Sequence, residues 1–511
     1  MASISLPNLY SIYDLASTST DASASGKRKL ATLWRGIILS GVGKTAFPYC
    51  LWIRNLKLGD FEEVLRDIAP YPNLRDAFFR DGMRSFEILT KTTSSNTRPG
   101  QVHPQLDLQS ISNRVGDTIT SFVEEAAARS KKAVGLTHLE GHYIPMDILP
   151  TWTSRLTTLT ALRIQDGSVL GEQVAASIRE NCTNFRELNC FYCDGATVDK
   201  DLASFFKTLK PDSLELFGVS SKNRLGKEAF SALSLHATSL KKLHLSGLQA
   251  AAFRHLGALL PCVSLESLEL EGERSSTLDW RSETSFADAV SWLSSCALLK
   301  SLKLWHVPNA TTLLNLVFKS TQFHLSTLDL NLIDEDDEFY SCLGTQPTLE
   351  NFMLRSIDPL PEYPSPQHAQ LVESICNMRC LKVLDILQAR LTPDDVNTLA
   401  VALGHLEEFG FDGDLFDDAI FDTLLKLRCL KNISFSANTV FSFDGILGYI
   451  DSLKLMELPS GEFGLVIMNQ SLDAKLSTEQ ISFLTKHAQT SIGGRIEIEH
   501  PEEEHESDFS D

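Results

Sequence analysis

The middle of the chain repeats one pattern of apolar positions, Leu-x-x-Leu-x-Leu. Four copies have leucine in all three positions and lie within residues 240–330, beginning at Leu240, Leu265, Leu299 and Leu325. The second and third apolar positions are two residues apart, so both lie on one face of a short strand, while the first anchors the turn before it. Each copy therefore predicts a β-strand with one buried face.

Weaker copies extend the pattern on both sides, with other residues, mostly apolar, in some of the three positions. They begin at Leu159, Phe185, Pro211, Leu349, Leu381, Leu406 and Leu430. Most copies start 24 to 29 residues after the previous one. Between the copies, apolar residues recur at intervals of three and four, which predicts amphipathic helices at 172–178, 286–293, 371–376 and 396–403. Strand and helix are thus predicted to alternate through residues 151–455.

A unit of one strand and one helix cannot bury both of its apolar faces alone, so neighbouring units have to stack. The predicted fold class is α/β, a solenoid with a curved parallel sheet inside, helices outside and a mainly helical N-terminal region. The repeats resemble the irregular leucine-rich repeats of the ribonuclease-inhibitor-like class, in which a true helix follows each strand. This resemblance implies an architecture and no particular activity.

Composition divides the rest of the chain. We predict a flexible N-terminal segment at 1–32, a cap region at 33–150, the solenoid with its C-terminal cap at 151–498, and an acidic disordered tail at 499–511. Two long steps between copies predict insertions at 272–285 and 358–368. Such loops either carry contacts or are neutral surface loops.

The net charge of the chain indicates which classes of molecule it can bind. The formal net charge is −20, from 46 Lys and Arg against 66 Asp and Glu, and a field of this sign repels nucleic-acid backbones and anionic lipids. The chain opens without a secretory signal pattern, and no apolar stretch reaches the roughly 18–20 residues of a membrane span. We therefore expect a protein partner, neither nucleic acid nor membrane, and a cytoplasmic or nuclear location in which the ten cysteines are small buried side chains.

One N-terminal phrase carries a second resemblance. It contains Phe-Pro-Tyr-Cys at 47–50 and Ile-Arg-Asn-Leu at 53–56, and it leads into a predicted helix at 60–65. The phrase is similar to the region after the F-box in filamentous-fungal F-box and leucine-rich-repeat proteins. That family implies a substrate receptor that binds the Skp-type adaptor of a cullin-RING ubiquitin ligase. Here the F-box is degenerate or missing, because Leu6 and Pro7 lead only to the short run at 10–15 before a Ser/Thr/Ala-rich stretch. Residues 1–32 are therefore either flexible or a degenerate F-box-like segment.

Two motifs have spacings that catalytic or metal sites use. The Gly-Val-Gly-Lys-Thr run at 41–45 resembles a loop whose amides and lysine, here Lys44, surround phosphate, although Ile38 occupies a position that needs glycine. Cys190 and Cys193 have the spacing of half a zinc site, but no second pair completes four ligands. Burial is the favoured interpretation for both cysteines.

Clusters of carboxylates are the remaining candidates. The run at 334–338 lacks the spacing of a calcium loop and is interpreted as a solvated acidic rim. Asp412, Asp414, Asp417 and Asp418 precede a predicted helix at 419–425, where helix capping explains their charge. We predict no catalytic residue, no cofactor and no metal.

Residues between the apolar positions alternate outward along each strand and form the predicted binding face. Trp305 is the main candidate because tryptophan concentrates binding energy at interfaces, although packing against an adjacent repeat would explain it equally well. The predicted protein-binding residues are Lys241, Glu269, Lys303, Trp305, Asp329, Arg355 and Asp385. Three hypotheses follow: a receptor of an SCF-type ubiquitin ligase or an uncoupled relative, a repeat scaffold without a ligase link, and a remote alternative, nucleotide binding through Lys44.

Overall fold

The computed structural model describes residues 20–92, 103–274, 278–319, 324–333, 337–356, 365–456, 463–470 and 475–500. The chain forms two compact units, residues 1–240 and 241–511. In each unit, strands and helices alternate along the chain and the strands form a parallel sheet.

The first unit begins with helices and continues as strand–helix repeats. Its helices are α1 (Thr20–Gly41), α2 (Leu58–Ile68), α3 (Pro72–Phe78), α4 (Leu108–Ser130), α5 (Leu149–Arg155), α6 (Glu172–Asn181), α7 (Val198–Thr208) and α8 (Lys227–Leu233). Its strands are β1 (Asn55–Lys57), β2 (Leu89–Thr92), β3 (His103–Leu106), β4 (His138–Gly141), β5 (Ala161–Asp166), β6 (Glu187–Tyr192) and β7 (Leu216–Val219). The parallel sheet has the order β1, β4, β5, β6, β7, while β2 and β3 pair as an antiparallel hairpin.

The described residues of the second unit form ten strands, all parallel. Its strands are β8 (Lys242–Leu248), β9 (Ser267–Gly272), β10 (Ser301–Trp305), β11 (Thr327–Ile333), β12 (Asn351–Ser356), β13 (Val383–Leu391), β14 (Glu408–Phe416), β15 (Asn432–Thr439), β16 (Gly464–Asn469) and β17 (Arg495–Glu499). Its helices are α9 (Ala250–Phe253), α10 (Thr284–Ser295), α11 (Ala310–Phe318), α12 (Asp337–Leu343), α13 (Pro366–Asn377), α14 (Pro393–Ala402), α15 (Ala419–Leu424), α16 (Phe443–Leu455) and α17 (Thr478–Ile492). Each strand pairs with the one that follows it in sequence.

The apolar positions of the repeat meet in register across the sheet. Leu302 of β10 lies opposite Leu268 of β9 and Leu328 of β11, and all three are fully buried. Because each apolar position stacks on the same position of the next repeat, the strands share a continuous apolar ladder. The α/β leucine-rich-repeat solenoid predicted from the spacing is thus confirmed, and α6, α10, α13 and α14 confirm the four predicted helices.

Each unit has more strands than the spacing predicted. The region before residue 150 is mainly helical, as expected, but it also contributes β1 and β4 to the parallel sheet of the first unit. In the second unit, β16 and β17 extend the parallel sheet of that unit beyond residue 455. Residues 501–511, most of the predicted acidic tail, lie outside the described part of the chain.

Of the two predicted insertions, the first contains a buried anchor. Trp280 is fully buried and packs against Phe253, which anchors the described part of 272–285 in the unit, and its indole Nε1 donates to Ser285 Oγ of the same segment at 3.1 Å. The second insertion falls largely outside the described residues, and its end forms the start of α13. There the Ser365 side chain accepts a hydrogen bond from the backbone N–H of His368 at 3.1 Å.

The cysteines are all free thiols, and seven of the ten are buried. Cys380 and Cys429 are exposed and Cys376 is half-buried, so the prediction of buried side chains is wrong for these three. None of the described helices is long and apolar enough to cross a membrane.

Candidate protein-binding surface

Strands β9 to β13 bring most of the predicted binding residues into one row. Glu269, Lys303 and Asp329 stand side by side because β9, β10 and β11 pair in register at these positions. The row continues through Met353 of β12 to Asp385 of β13. These residues alternate with the buried apolar positions, so they face away from the core.

A second row lies two residues further along the same strands. In it Trp305 pairs with Glu271 on one side and with Asn331 on the other, and Asn331 pairs with Arg355. The two rows together define a surface that we call the strand-face cluster. Its members are Glu269, Lys303, Trp305, Asp329, Arg355 and Asp385.

Trp305 joins the two rows through direct contacts. Its indole Nε1 donates a hydrogen bond to Asp329 Oδ1 at 3.0 Å. The Lys303 ammonium lies 5.7 Å from the centre of the Trp305 ring and 3.7 Å from Glu269 Oε2. The half-buried indole is therefore held in place by its neighbours, which reduces the conformational entropy that it would lose on binding a partner.

Asp329 is the most buried charged residue of the cluster. Only 8% of it is exposed. Burial raises the pKa of its carboxyl, while the hydrogen bond from Trp305 and the charges of Lys303 and Arg355 act in the opposite direction. Because the ionised carboxylate is poorly solvated here, a further donor or cation from a partner would stabilise it.

Arg355 and Asp385 form the other half of the cluster. An Arg355 terminal nitrogen lies 2.5 Å from Asp385 Oδ2. Arg355 Nε and Asp385 Oδ1 are buried and have no hydrogen-bond partner within the described parts of the chain. The pair therefore uses only part of its hydrogen-bonding capacity, and the 43% exposure of the Arg355 side chain leaves room for it to turn toward a ligand.

Lys241 does not belong to this cluster. It lies one residue before β8, where its carbonyl oxygen accepts from the backbone N–H groups of Glu266 and Ser267 at 2.7 and 3.0 Å. The residue of β8 that pairs with Glu269 is His244, whose pKa is lowered by burial. His244 could have been found from the sequence, because it stands between the second and third apolar positions of its copy.

The glycine-containing loop at 41–45 does not have the geometry of a phosphate-binding loop. The apolar residues before it belong to α1, and the N–H groups of Gly43 and Lys44 donate to the carbonyl oxygens of Ser40 and Leu39 at 3.1 and 2.9 Å. Gly43 has a φ of 68°, the left-handed conformation that commonly ends helices. Because these amides already cap α1, they are not available to surround a phosphate, and the loop gives no support to nucleotide binding through Lys44.

The cysteine pair is part of the core of the first unit. Cys190 and Cys193 are both buried. The hydrogen bond between the two thiols, together with burial, holds the pKa of Cys190 well above its usual value. A group of three or more His, Cys, Asp or Glu side chains that could hold a metal does not occur among the described residues.

Of the aspartates predicted to cap the helix at 419–425, Asp417 does so. Asp417 Oδ1 accepts from the N–H of Ala419, the first residue of α15, at 3.0 Å. Asp418 instead accepts from the N–H and hydroxyl of Ser442, and Asp412, within β14, accepts from the N–H of Arg390 at 2.7 Å. For Asp412 and Asp418 the prediction of capping α15 is wrong, because their carboxylates accept hydrogen bonds from Arg390 and Ser442 instead. The run at 334–336 lies outside the described residues.

The phrase that resembles F-box proteins exposes an aromatic cluster. Phe47, Tyr49 and Trp52 are 55%, 40% and 58% exposed, and their ring centres lie 5.4 to 6.1 Å apart. Buried Cys50 anchors the turn between them, since its N–H donates to Ser40 Oγ at 2.9 Å. We call these three residues the aromatic cluster. Before it, residues 20–41 form the single helix α1, and the rest of the segment expected to hold a degenerate F-box, at 1–19, lies outside the described residues.

Comparison with known proteins yields similarity to solved structures alone. No protein-family model matches the chain, and no curated protein matches it. An internalin (inlF) from Listeria monocytogenes is 16% identical with a TM-score of 0.34, over 62% of this chain and 78% of that one. The Rad7 and Elc1 complex of yeast is 17% identical with a TM-score of 0.38, over 63% of this chain and 86% of that one. The TLR13–ssRNA13 complex is 14% identical with a TM-score of 0.32, over 74% of this chain and 55% of that one. At these identities and scores nothing about function follows.

Proposed function

We propose that this chain is a non-catalytic protein-binding module that holds a partner protein against the strand-face cluster. The observation that carries the proposal is that six polar and aromatic side chains from five successive strands, with Trp305 among them, stand in two adjacent rows on one face of the sheet. Tryptophan and arginine are the residues in which protein interfaces concentrate their energy. Free thiols such as Cys380 and Cys429 support a cytosolic or nuclear setting for this binding.

Replacing Trp305 by alanine is expected to weaken partner binding about 30-fold or more, as the loss of roughly 2 kcal/mol at an interface anchor implies. The partner would be isolated from the native extract with the full chain, identified by mass spectrometry, and titrated calorimetrically against each variant. Leu316→Ala is the matched control, because Leu316 is an exposed apolar residue of α11, the helix of the same repeat. Equal affinities of the two variants would contradict the proposal.

We further propose that the partner is a substrate and that the N-terminal region couples the chain to a Skp-type adaptor of a cullin-RING ubiquitin ligase. The resemblance of residues 33–58 motivates this proposal, and the exposure of the aromatic cluster within that phrase supports it. The alternative is a repeat scaffold without a ligase link. The single helix at 20–41, where an F-box would bury three, favours that alternative.

Binding of the purified adaptor separates these two functions. If the chain is a ligase receptor, the full chain should bind a Skp-type adaptor in size-exclusion chromatography, and Trp52→Ala should weaken the complex about tenfold or more. Tyr143→Ala is the control, since Tyr143 is 50% exposed in the same unit but lies outside the aromatic cluster. A full chain that leaves the adaptor unbound would establish the scaffold alternative.

A further inference from the structure

The first unit contains a groove that neither proposed binding function uses. It runs between α1 on one side and the end of α2 with α3 on the other, and its volume is about 810 Å³. We call it the N-terminal groove. Along α1 it extends over the nine residues from Lys27 to Arg35, whose eight helical steps correspond to about 12 Å of helix axis. Its length therefore matches about two turns of a bound helix.

The floor and one wall of the groove are apolar. Ile68 and Phe78 are buried beneath it, while Tyr71 is 58% exposed and Leu74 is half-buried at its edge. A helix would place residues at positions i, i+3 or i+4, and i+7 on such a strip. Exposed apolar surface of this kind indicates an interaction site.

Cations line the α1 side of the groove. Lys27 Nζ pairs across it with Asp67 Oδ1 at 3.0 Å. Arg35 closes one end by donating to the carbonyl oxygens of Phe78 and Arg80, both at 3.2 Å. Arg28 is exposed and forms no ion pair with any residue that the structure describes. One wall thus offers an uncompensated positive charge in a chain whose net charge is −20.

We propose that the N-terminal groove binds an amphipathic helix of a partner protein, with acidic residues beside its apolar stripe. The apolar strip fits the stripe, and the uncompensated charge of Arg28 fits the acidic edge. A helix with basic residues in those places would be repelled by the positive charge on the α1 wall. The charge of the groove therefore favours an acidic helix over a basic one. This inference is independent of the strand-face cluster, which belongs to the second unit.

The test uses two fluorescent model peptides of about four turns, long enough to form helix when bound. Both carry leucine at helical spacing, flanked by glutamate in one peptide and by lysine in the other. Fluorescence anisotropy with the full chain should show the glutamate peptide binding about tenfold tighter or more. Equal affinities, or no binding of the glutamate peptide, would overturn the proposal.

Two variants of α1 locate the binding on the groove. Arg28→Glu should weaken the glutamate peptide about fivefold or more, because it replaces an attraction by a repulsion. Lys29→Glu makes the same charge change on the next residue, which is exposed but does not line the groove, and should have less than half that effect. Equal effects would mean a general charge interaction and would overturn the assignment. Trp305→Ala should leave peptide binding unchanged, which separates this test from that of the strand-face cluster.

A competing occupant is the chain's own segment at 1–19, which directly precedes α1. A synthetic peptide of residues 1–19 added in excess should leave the labelled glutamate peptide bound. Displacement of the labelled peptide by this excess would assign the groove to the segment at 1–19 and overturn the partner assignment.

Discussion

Replacement of Trp292 by alanine is expected to lower the free energy of unfolding of the second unit by about 4 kcal/mol. Trp292 lies on the inner face of α10 and is fully buried. Its indole Nε1 donates to the carbonyl oxygen of Cys262 at 3.1 Å, in the turn before β9. The variant loses the packing of the ring and also leaves the buried carbonyl without its main donor. Denaturant unfolding followed by circular dichroism measures the change.

The control for this prediction is Leu298→Ala. Leu298 belongs to the same repeat but is 58% exposed, so its truncation should cost less than about 0.5 kcal/mol. If Trp292→Ala cost no more than about 1 kcal/mol, the indole could not be the packing link between α10 and the preceding turn.

A second large effect is expected at Asp395, where Asp395→Asn should destabilise the second unit by about 2 kcal/mol near neutral pH. Asp395 Oδ2 accepts from the N–H and hydroxyl of Thr392 at 2.8 and 2.7 Å and from Nε2 of His368 at 3.0 Å. The backbone N–H of Asp395 in turn donates to Thr392 Oγ1 at 3.2 Å, so the two residues form the capping box of α14. Asparagine keeps one oxygen that can accept these bonds but carries no negative charge, so the hydrogen bonds from Thr392 and His368 lose the extra strength that an ionised acceptor gives them.

The pH dependence of this effect has a defined sign. Burial acts to raise the pKa of Asp395, but the hydrogen bonds from His368 and Thr392 outweigh it and hold the pKa below its ordinary value of 3.8. A lowered pKa means that the unfolded chain binds the proton more readily, so the stabilisation is present above the ordinary value and is lost as the pH falls through the folded one. The difference in unfolding free energy between wild type and Asp395→Asn should therefore be constant near neutrality and shrink below about pH 4.

The neighbouring carboxylate offers a matched control. Asp394 stands in the same first turn of α14 but is exposed, so Asp394→Asn should change stability by less than about 0.5 kcal/mol at any pH. A similar loss for both variants would attribute the effect to the helix dipole and not to the buried network.

The strands of the regular repeats could be predicted because each needs the same three apolar side chains. Where another residue fills one of those places, the pattern fails. In β4 the third position is Gly141, and a Cβ there would lie 2.7 Å from Ile144 Cδ1, so Ile144 occupies that space from the following turn. In β1 the apolar residue Leu58 already belongs to α2. Where a side chain from outside the strand fills an apolar position in this way, the periodic pattern of apolar residues is missing from the sequence.

The candidate site was predictable in position but not in its contacts. Alternation along a strand is enough to turn Glu269, Lys303 and Asp385 away from the core. Which of them pair depends on the register between strands and on side-chain rotamers, neither of which has a local signature. The bond from Trp305 to Asp329 links residues that are 24 positions apart in the chain. The N-terminal groove likewise arises from the packing of α1 beside α3, across loops whose course the sequence does not encode in a readable pattern.

The last strand of the second unit has a consequence for how molecules of this protein meet one another. Among the described residues β17 pairs with β16 alone, so its other side presents backbone N–H and C=O groups to which a further strand could bond. The residues along β17 include Arg495, Glu497 and Glu499, and the first two form an ion pair with each other. A strand from a second molecule would have to disturb that pair and accept the carboxylates beside it. Charged side chains of this kind on an edge strand disfavour pairing with a strand of another molecule, so the charges of β17 oppose such pairing at the described edge of the sheet.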